Sequence, residues 1–199
     1  MESIFTDIYE NNTWGSDRET LYNGSSGGGS EIEYNQSVYI PFIKNFINEN
    51  NIKTVVDLGC GNFKCGPSIY EDLDITYTGY DTYKKIIEYN SQKNKMPKYT
   101  FLNLDFYNNK KSIVTADLCI IKDVLQHWNM DEIFTFLDYL VEAKIFKYII
   151  ICNCSYQIVD NPTNDKRATA LSIEYLPLKK YNPIKICNYN TKEISLITT

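Results

Sequence analysis

The run Thr54-Val55-Val56-Asp57-Leu58-Gly59-Cys60-Gly61-Asn62 constrains this chain more than any other segment. An apolar, β-branched stretch leads to an acid and then to Gly-x-Gly. β-Branched residues suit a buried strand, and Gly59 and Gly61 permit a turn whose backbone passes close to a ligand. Ligands of open α/β sheets bind at the carboxyl ends of strands, where such a turn lies. Lys64 stands where the dinucleotide fingerprint Gly-x-Gly-x-x-Gly has its third glycine, which argues against a pyrophosphate-bearing ligand.

Two later segments repeat the pattern. Ile75-Thr76-Tyr77-Thr78-Gly79-Tyr80-Asp81 reads as a second strand closing on Asp81. That acid falls about 20 residues past the glycines, the spacing at which a carboxylate accepts ribose hydroxyls. Tyr99-Thr100-Phe101-Leu102-Asn103-Leu104-Asp105 reads as a third strand, closing on Asp105. The pattern predicts three carboxylates along one edge of one sheet.

Strand and helix periodicities alternate through the chain. Gln36 to Asn50 reads as an amphipathic helix with Val38, Phe42, Ile43, Phe46 and Ile47 on one stripe and Pro41 confined to its first turn. Strands follow at 54–59, 75–80, 99–104, 117–121 and 147–153, with a helix at 82–94. Another helix starts at Asn129, whose N-cap role is supported by Glu132 three residues on, and buries Ile133, Phe136, Leu137 and Leu140. Asp160 to Pro177 reads as a long loop. Pro183–Tyr189 and Lys192–Ile197 read as an edge hairpin turning at Asn190. The expected fold is a doubly wound, Rossmann-like α/β sandwich, a mostly parallel seven-stranded sheet with a C-terminal antiparallel hairpin. One domain spans 1–199, with a leader over 1–35 and a core over 36–199.

At this point the chain resembles the class I S-adenosylmethionine-dependent methyltransferases, over about Asn35 to Cys154. The resemblance implies S-adenosylmethionine as cofactor, with Asp57 near its amine, Asp81 on its ribose and Asp105 near its adenine. It extends the cofactor set to Gly59, Gly61, Thr82, Phe106 and Lys122. The leader order Tyr9, Asn12, Trp14-Gly15-Ser16, Glu19, Ser26-Gly27, Gly29-Ser30 resembles that of methyltransferases associated with surface-polysaccharide synthesis. There a Trp-Gly segment and a Ser-Gly-x-Gly-Ser loop fold over the cofactor, which adds Trp14 and Ser30. The same Gly/Ser run also reads as a plain flexible linker. The resemblance implies a sugar acceptor, as a glycan or nucleotide-linked monosaccharide. It weakens after the fifth strand, where that group carries an Arg-Pro and a Pro-Pro-Phe run and this chain has only Arg167 and Leu176-Pro177-Leu178.

The net charge of −5 supplies no broad basic surface for a phosphate backbone, so no nucleic-acid partner is expected. Richness in Lys, Asn, Ile and Tyr is the mark of an A/T-rich genome, as in a low-G+C bacterium, a protist or a large DNA virus. Six cysteines without a Cys-x-x-Cys pair, and a single histidine, give no zinc pattern. Free thiols suit a reducing compartment, and no apolar segment reaches the length of a membrane span. A soluble, cytoplasmic protein with a small-molecule or sugar substrate is the expectation.

The candidate chemical centre is Lys122-Asp123-Val124-Leu125-Gln126-His127-Trp128, just past a strand. Methylating a hydroxyl requires proton removal, and imidazole titrates near neutrality. His127 is therefore the candidate general base, with Asp123 orienting it or the substrate. A purely structural role for His127 at a helix start is the competing reading. Arg167, on the loop after the fifth strand, is the candidate clamp for a substrate phosphate. An amine, a protein, another small molecule, or a non-catalytic scaffold role are the alternatives to a sugar acceptor.

Overall fold

The structure is a computed structural model and describes residues 1–17, 22, 24–156 and 170–199. It divides into two compact units, Met1–Ile113 and Val114–Thr199.

The first unit opens with helix α1 (Glu2–Glu10), then a short helix α2 (Ile32–Asn35) and helix α3 (Tyr39–Glu49). The helix expected from Gln36 begins three residues later. A proline ring has no N–H, so Pro41 must fall in the first turn, where amides lack intrahelical partners. The buried stripe of α3 is Tyr39, Ile40, Ile43, Phe46 and Ile47, while Val38 and Phe42 are half-buried. Strand β1 (Thr54–Leu58), helix α4 (Gly66–Tyr70), strand β2 (Thr76–Asp81), helix α5 (Lys84–Lys93) and strand β3 (Tyr99–Asn103) complete the unit. β2 lies between β1 and β3, parallel to both, with Thr54 opposite Thr76 and Tyr77 opposite Tyr99. Phe63, Tyr70, Tyr77 and Phe101 pack ring to ring here, with Phe63 4.7 Å from Tyr77 and 5.0 Å from Phe101. Phe63 reaches them with φ +54°, and its ring takes the space that a side chain on Gly66 would need.

The second unit holds strand β4 (Ala116–Lys122), helix α6 (Met130–Ala143), strand β5 (Phe146–Cys154), strand β6 (Ile184–Tyr189) and strand β7 (Lys192–Thr198). β4 and β5 are parallel, β5 and β7 antiparallel, and β6 flanks β7 on its other side. β7 is thus an interior strand, and Asn190 takes the positive φ of 49° that the tight β6–β7 turn needs. α6 starts on the expected capping box: the Asn129 side chain accepts the Glu132 N–H, and the Glu132 carboxylate accepts the Asn129 N–H, both at 2.9 Å. Its four expected apolar residues are buried.

These elements are those of the expected mostly parallel, seven-stranded α/β fold with a C-terminal antiparallel hairpin. No helix among the described residues is long and apolar enough to cross a membrane. The six cysteines are free thiols.

Candidate functional site

In the first unit, the turn after β1 is held from β2. The N–H groups of Gly59 and Cys60 both donate to the Tyr80 carbonyl, at 2.8 and 3.0 Å. Gly59 and Gly61 take φ of +85° and +52°, which a side chain would strain. The Gly61 N–H donates to Asp81 Oδ2 at 3.1 Å, and the Tyr83 N–H to Asp81 Oδ1 at 3.0 Å. Asp81 is only 6% exposed. Burial pushes its carboxyl up to about 6, against the backbone amides that favour the ionised form. Asn90 Nδ2 closes the turn by donating to the Gly61 carbonyl at 2.7 Å. Around this turn Asn62 Nδ2, Thr82 Oγ1 and Asn90 Oδ1 are buried without a hydrogen-bond partner. Buried polar atoms rarely stay unpaired unless a ligand or water supplies the partner.

Asp57 and Asp105 are placed differently from Asp81. Asp57 lies within β1, and its Oδ2 accepts the Tyr77 hydroxyl at 2.8 Å. Asp105 lies two residues beyond β3. It accepts the Asn108 side chain at 2.8 Å and pairs with the Met1 amine at 3.2 Å. Burial opposes its charge, yet Asn108 and the amine hold its carboxyl below the ordinary range. Phe106 beside it is buried.

The leader is built onto this turn. Ser26 Oγ accepts the Asn62 N–H at 3.0 Å and lies 3.0 Å from the Tyr9 hydroxyl. Tyr9 stacks on Tyr83 at 4.6 Å, and Trp14 meets Tyr9 edge-on at 5.5 Å. Lys64 pairs with Asp17 and Glu31, both at 2.8 Å. The Ser30 hydroxyl donates to the Gly27 carbonyl at 2.7 Å, closing its own turn. Asn35, fully buried, donates to the carbonyls of Gly29 and Glu31. The Gly/Ser run therefore has specific partners on the glycine turn, unlike a free linker. Asn35, Asn62 and the pairing role of Lys64 were not foreseen. The Lys64 position carried the signal, since a cation follows the glycines there.

In the second unit a charged cluster stands at the carboxyl ends of β4 and β5. Asp123 follows β4 with φ +59°, a region that Asp tolerates better than most residues, and its N–H donates to the Cys152 carbonyl at 2.8 Å. Its Oδ2 pairs with Lys122 at 2.7 Å and its Oδ1 with Lys192 at 2.5 Å. Burial works against the Asp123 charge, but the two lysines outweigh it and hold the carboxyl below its usual range. Burial likewise opposes the Lys192 ammonium, and Asp123 reverses this and raises it. Lys192 also lies 3.7 Å from Cys154 Sγ. Lys192 was missed because it starts a segment read as an edge hairpin, where lysines ordinarily face water. Burial drives the Cys152 thiol up to about 12, which suits a wall residue and no nucleophile.

His127 sits between the buried Leu125 and Trp128, and Trp128 meets Phe136 edge-on at 5.1 Å. The expectation that His127 titrates near neutrality is corrected. Burial brings it down to about 4; Asp123 counters this, and Lys192 adds to it. Asp123, expected to orient His127 or the substrate, engages Lys122 and Lys192 through its two oxygens. Gln126 reaches the imidazole as well: its Oε1 accepts the Cys154 N–H at 2.7 Å, which aims its Nε2 at His127 Nε2, 3.4 Å away. A neutral imidazole accepting at Nε2 carries its proton on Nδ1. Arg167 lies outside the described residues. Among the described residues no group of three or more His, Cys, Asp or Glu could hold a metal ion.

Magnesium protoporphyrin IX methyltransferase (ChlM) from Synechocystis PCC 6803 with bound SAM matches at TM-score 0.66 and 16% identity, over 98% of this chain and 95% of that one. The methyltransferase domain of bacterial CtHen1 matches at TM-score 0.65 and 17% identity, over 83% and 100%. Human N-acetylserotonin methyltransferase (ASMT) in complex with SAM matches at 0.62 and 15%, over 82% of this chain and 52% of that one, about half its length. The likeness at these identities is one of fold, the class I methyltransferase type. No protein-family model matches the sequence, and no curated protein sequence matches it.

Proposed function

We propose that the chain is an S-adenosylmethionine-dependent methyltransferase acting on a sugar hydroxyl. The observation that carries the cofactor is the buried Asp81 carboxylate gripping the Gly61 N–H, ringed by unpartnered polar atoms of Asn62 and Thr82. Each Asp81 oxygen accepts one amide and keeps a lone pair, so the two can accept a vicinal diol. The amide of Asn62 and the hydroxyl of Thr82 can serve the polar groups of an adenosyl ligand. The residues present therefore fit the group. The neighbours of this fold that carry SAM support the same reading.

When bound, the cofactor supplies an electrophilic methyl group. Such a transfer is mostly a matter of orientation and water exclusion. Asp81, Gly61, Asn62 and Thr82 do the holding, and Tyr9, Trp14 and Ser26 cover the turn. Asp57, Gly59, Ser30, Asp105 and Phe106 complete the proposed cofactor set. His127 serves the acceptor. Its Nε2, held by Gln126 at 3.4 Å, would exchange that partner for an acceptor hydroxyl and take its proton. A neutral imidazole is available for this at any pH well above 4. The sugar assignment rests on the resemblance of the leader residues. Arg167 is proposed to contact the substrate.

Thermal melting of the full chain with S-adenosylmethionine, S-adenosylhomocysteine and NAD tests the cofactor. A ligand at 100 times its Kd adds about 2.7 kcal/mol, a shift of a few degrees. Both adenosyl ligands are expected to raise the melting point and NAD to leave it unchanged. No adenosyl shift would leave a fold without its chemistry. His127→Ala should lose turnover on sugar acceptors and keep cofactor affinity; unchanged turnover would remove the role given to His127.

A further inference from the structure

We infer that the Asn153 carboxamide, at the carboxyl end of β5, is an acceptor-binding group that takes a pair of neighbouring uncharged hydroxyls. This rests on the methyltransferase reading and names, within it, a residue that reads the acceptor and the kind of group it reads.

Asn153 is 1% exposed, and its Nδ2 and Oδ1 are both buried without a hydrogen-bond partner. A carboxamide offers two donor hydrogens and an oxygen with two lone pairs, so a whole polar group is left unmet. Such a group costs stability in the free protein, and native chains rarely keep one unless a ligand or water completes it.

Asn153 stands between two bonds that build the candidate chemical centre. The Cys152 carbonyl before it accepts the Asp123 N–H at 2.8 Å. The Cys154 N–H after it donates to Gln126, the residue that reaches His127. This is the strand end at which ligands of such sheets bind. Across the ladder Asn153 lies opposite Glu193, so the two side chains share a face. Residues 171–173 cross that face. The Leu171 N–H donates to the Cys154 carbonyl at 2.7 Å, the Ser172 hydroxyl to Glu193 Oε2 at 2.9 Å and the Ile173 N–H to Glu193 Oε1 at 2.8 Å. This strap covers the carboxamide, and an entering ligand displaces it.

Charge says what enters. Glu193, only 4% exposed, pairs with Lys185 at 2.9 Å, so the charged pair beside Asn153 is balanced. An ion added here would be buried without a counter-charge. Two hydroxyls complete the amide instead, one donating to Oδ1 and one accepting from Nδ2. A sugar presents such hydroxyls on adjacent carbons.

The test uses the full chain and begins with thermal melting of Asn153→Leu and Asn153→Val without ligand. Leu is close to Asn in shape, and Val suits a strand and guards against overpacking. At least one variant should melt about 2–4 °C above wild type, because an unmet polar group has been removed. If neither melts higher, the amide is already satisfied by protein or by a fixed water, and the proposal falls. The side-chain amide signal of Asn153 in the 15N-labelled chain, assigned by its loss in the variant, is then followed during titration with glucose, galactose and mannose, with and without saturating S-adenosylhomocysteine. At least one sugar should shift that signal saturably. The stabilised variant should bind that sugar about tenfold more weakly and keep its affinity for S-adenosylhomocysteine within about twofold. Higher stability together with weaker binding is a pair of signs that no misfolded variant gives. A signal unmoved by all three sugars overturns the proposal, as does a variant that loses S-adenosylhomocysteine and keeps the sugar. Failure of S-adenosylhomocysteine to bind the wild type would remove the methyltransferase reading instead, and the titration without it still reads Asn153.

Discussion

The Gly61 N–H donates to the carboxylate of Asp81, 20 residues further on, at 3.1 Å. This bond ties the glycine turn to the end of the neighbouring strand. It also keeps a buried charge ready for a ligand and leaves that charge under-solvated without one.

A pH signature follows. The Asp81 carboxyl is raised from 3.8 to about 6 by burial. A raised folded pKa means stability that is fully present below the unfolded value and lost as pH rises through about 6. The loss is about 3 kcal/mol. Asp81→Asn should therefore flatten the decline in stability between pH 4 and 6, measured by urea unfolding at a series of pH values. The same variant should lose S-adenosylhomocysteine binding. A profile unchanged from wild type would show that Asp81 is better solvated than its surroundings indicate.

The single histidine gives a clean spectroscopic prediction. His127 is pushed by burial to about 4 from 6.5. Its folded pKa is depressed, so the protein should lose stability as pH falls from 6.5 through 4, when the unfolded state binds the proton first. One imidazole Cε1–H resonance should appear in the proton NMR spectrum and hold its position from pH 8 down to about 5. A midpoint near 6.5 would return His127 to water, and with it the role of a base titrating near neutrality.

Much of this was legible in the residues because local and tertiary preferences agree. Asn129 and Glu132 mark the start of α6 by chemistry that needs no tertiary context. The β-branched runs gave five strands to within a residue or two. What was hidden depends on strands meeting across the sheet. Lys192 looks like a solvent-facing lysine until β7 is seen between β5 and β6, which places it beside Asp123. Asp105 shares its strand-end pattern with Asp81, yet accepts the nearby Asn108 side chain and pairs with the Met1 amine. A strand-end acid alone cannot say whether its lone pairs are already taken. The downward shift of the only imidazole is likewise a product of its tertiary surroundings, and no spacing rule reports it.

The capping box supplies a stability prediction. Asn129→Ala removes the side-chain acceptor for the Glu132 N–H at the start of a 14-residue helix. The expected loss is about 1 kcal/mol, within a range of about 0.5–2. Asn129→Asp, which keeps the acceptor and adds a charge favoured at a helix N-terminus, should recover most of it. Urea unfolding of the two variants measures the difference. Equal stability of Ala and Asp would mean that the cap contributes nothing beyond the packing of α6.

The leader and the glycine turn should be energetically coupled at one point. A methyl group on Gly61 would sit 2.8 Å from Ser26 Oγ and 3.2 Å from Ser26 Cβ, on a backbone with φ +52°. Gly61→Ala thus combines backbone strain with a collision against the leader, and should cost about 1–3 kcal/mol. Ser26→Ala relieves the collision with the oxygen and forfeits the bond from the Asn62 N–H, a loss of about 1 kcal/mol. In the double variant the two costs should not add: part of the Gly61→Ala penalty disappears once the hydroxyl is gone. A favourable coupling of about 0.5–1 kcal/mol in the double-mutant cycle is the expected result. Simple additivity would mean that the leader yields freely and that Ser26 does not press on the turn. Repeating the cycle with S-adenosylhomocysteine bound then reads whether the ligand tightens that contact, because a lid that closes on ligand must raise the coupling and a fixed wall must leave it unchanged.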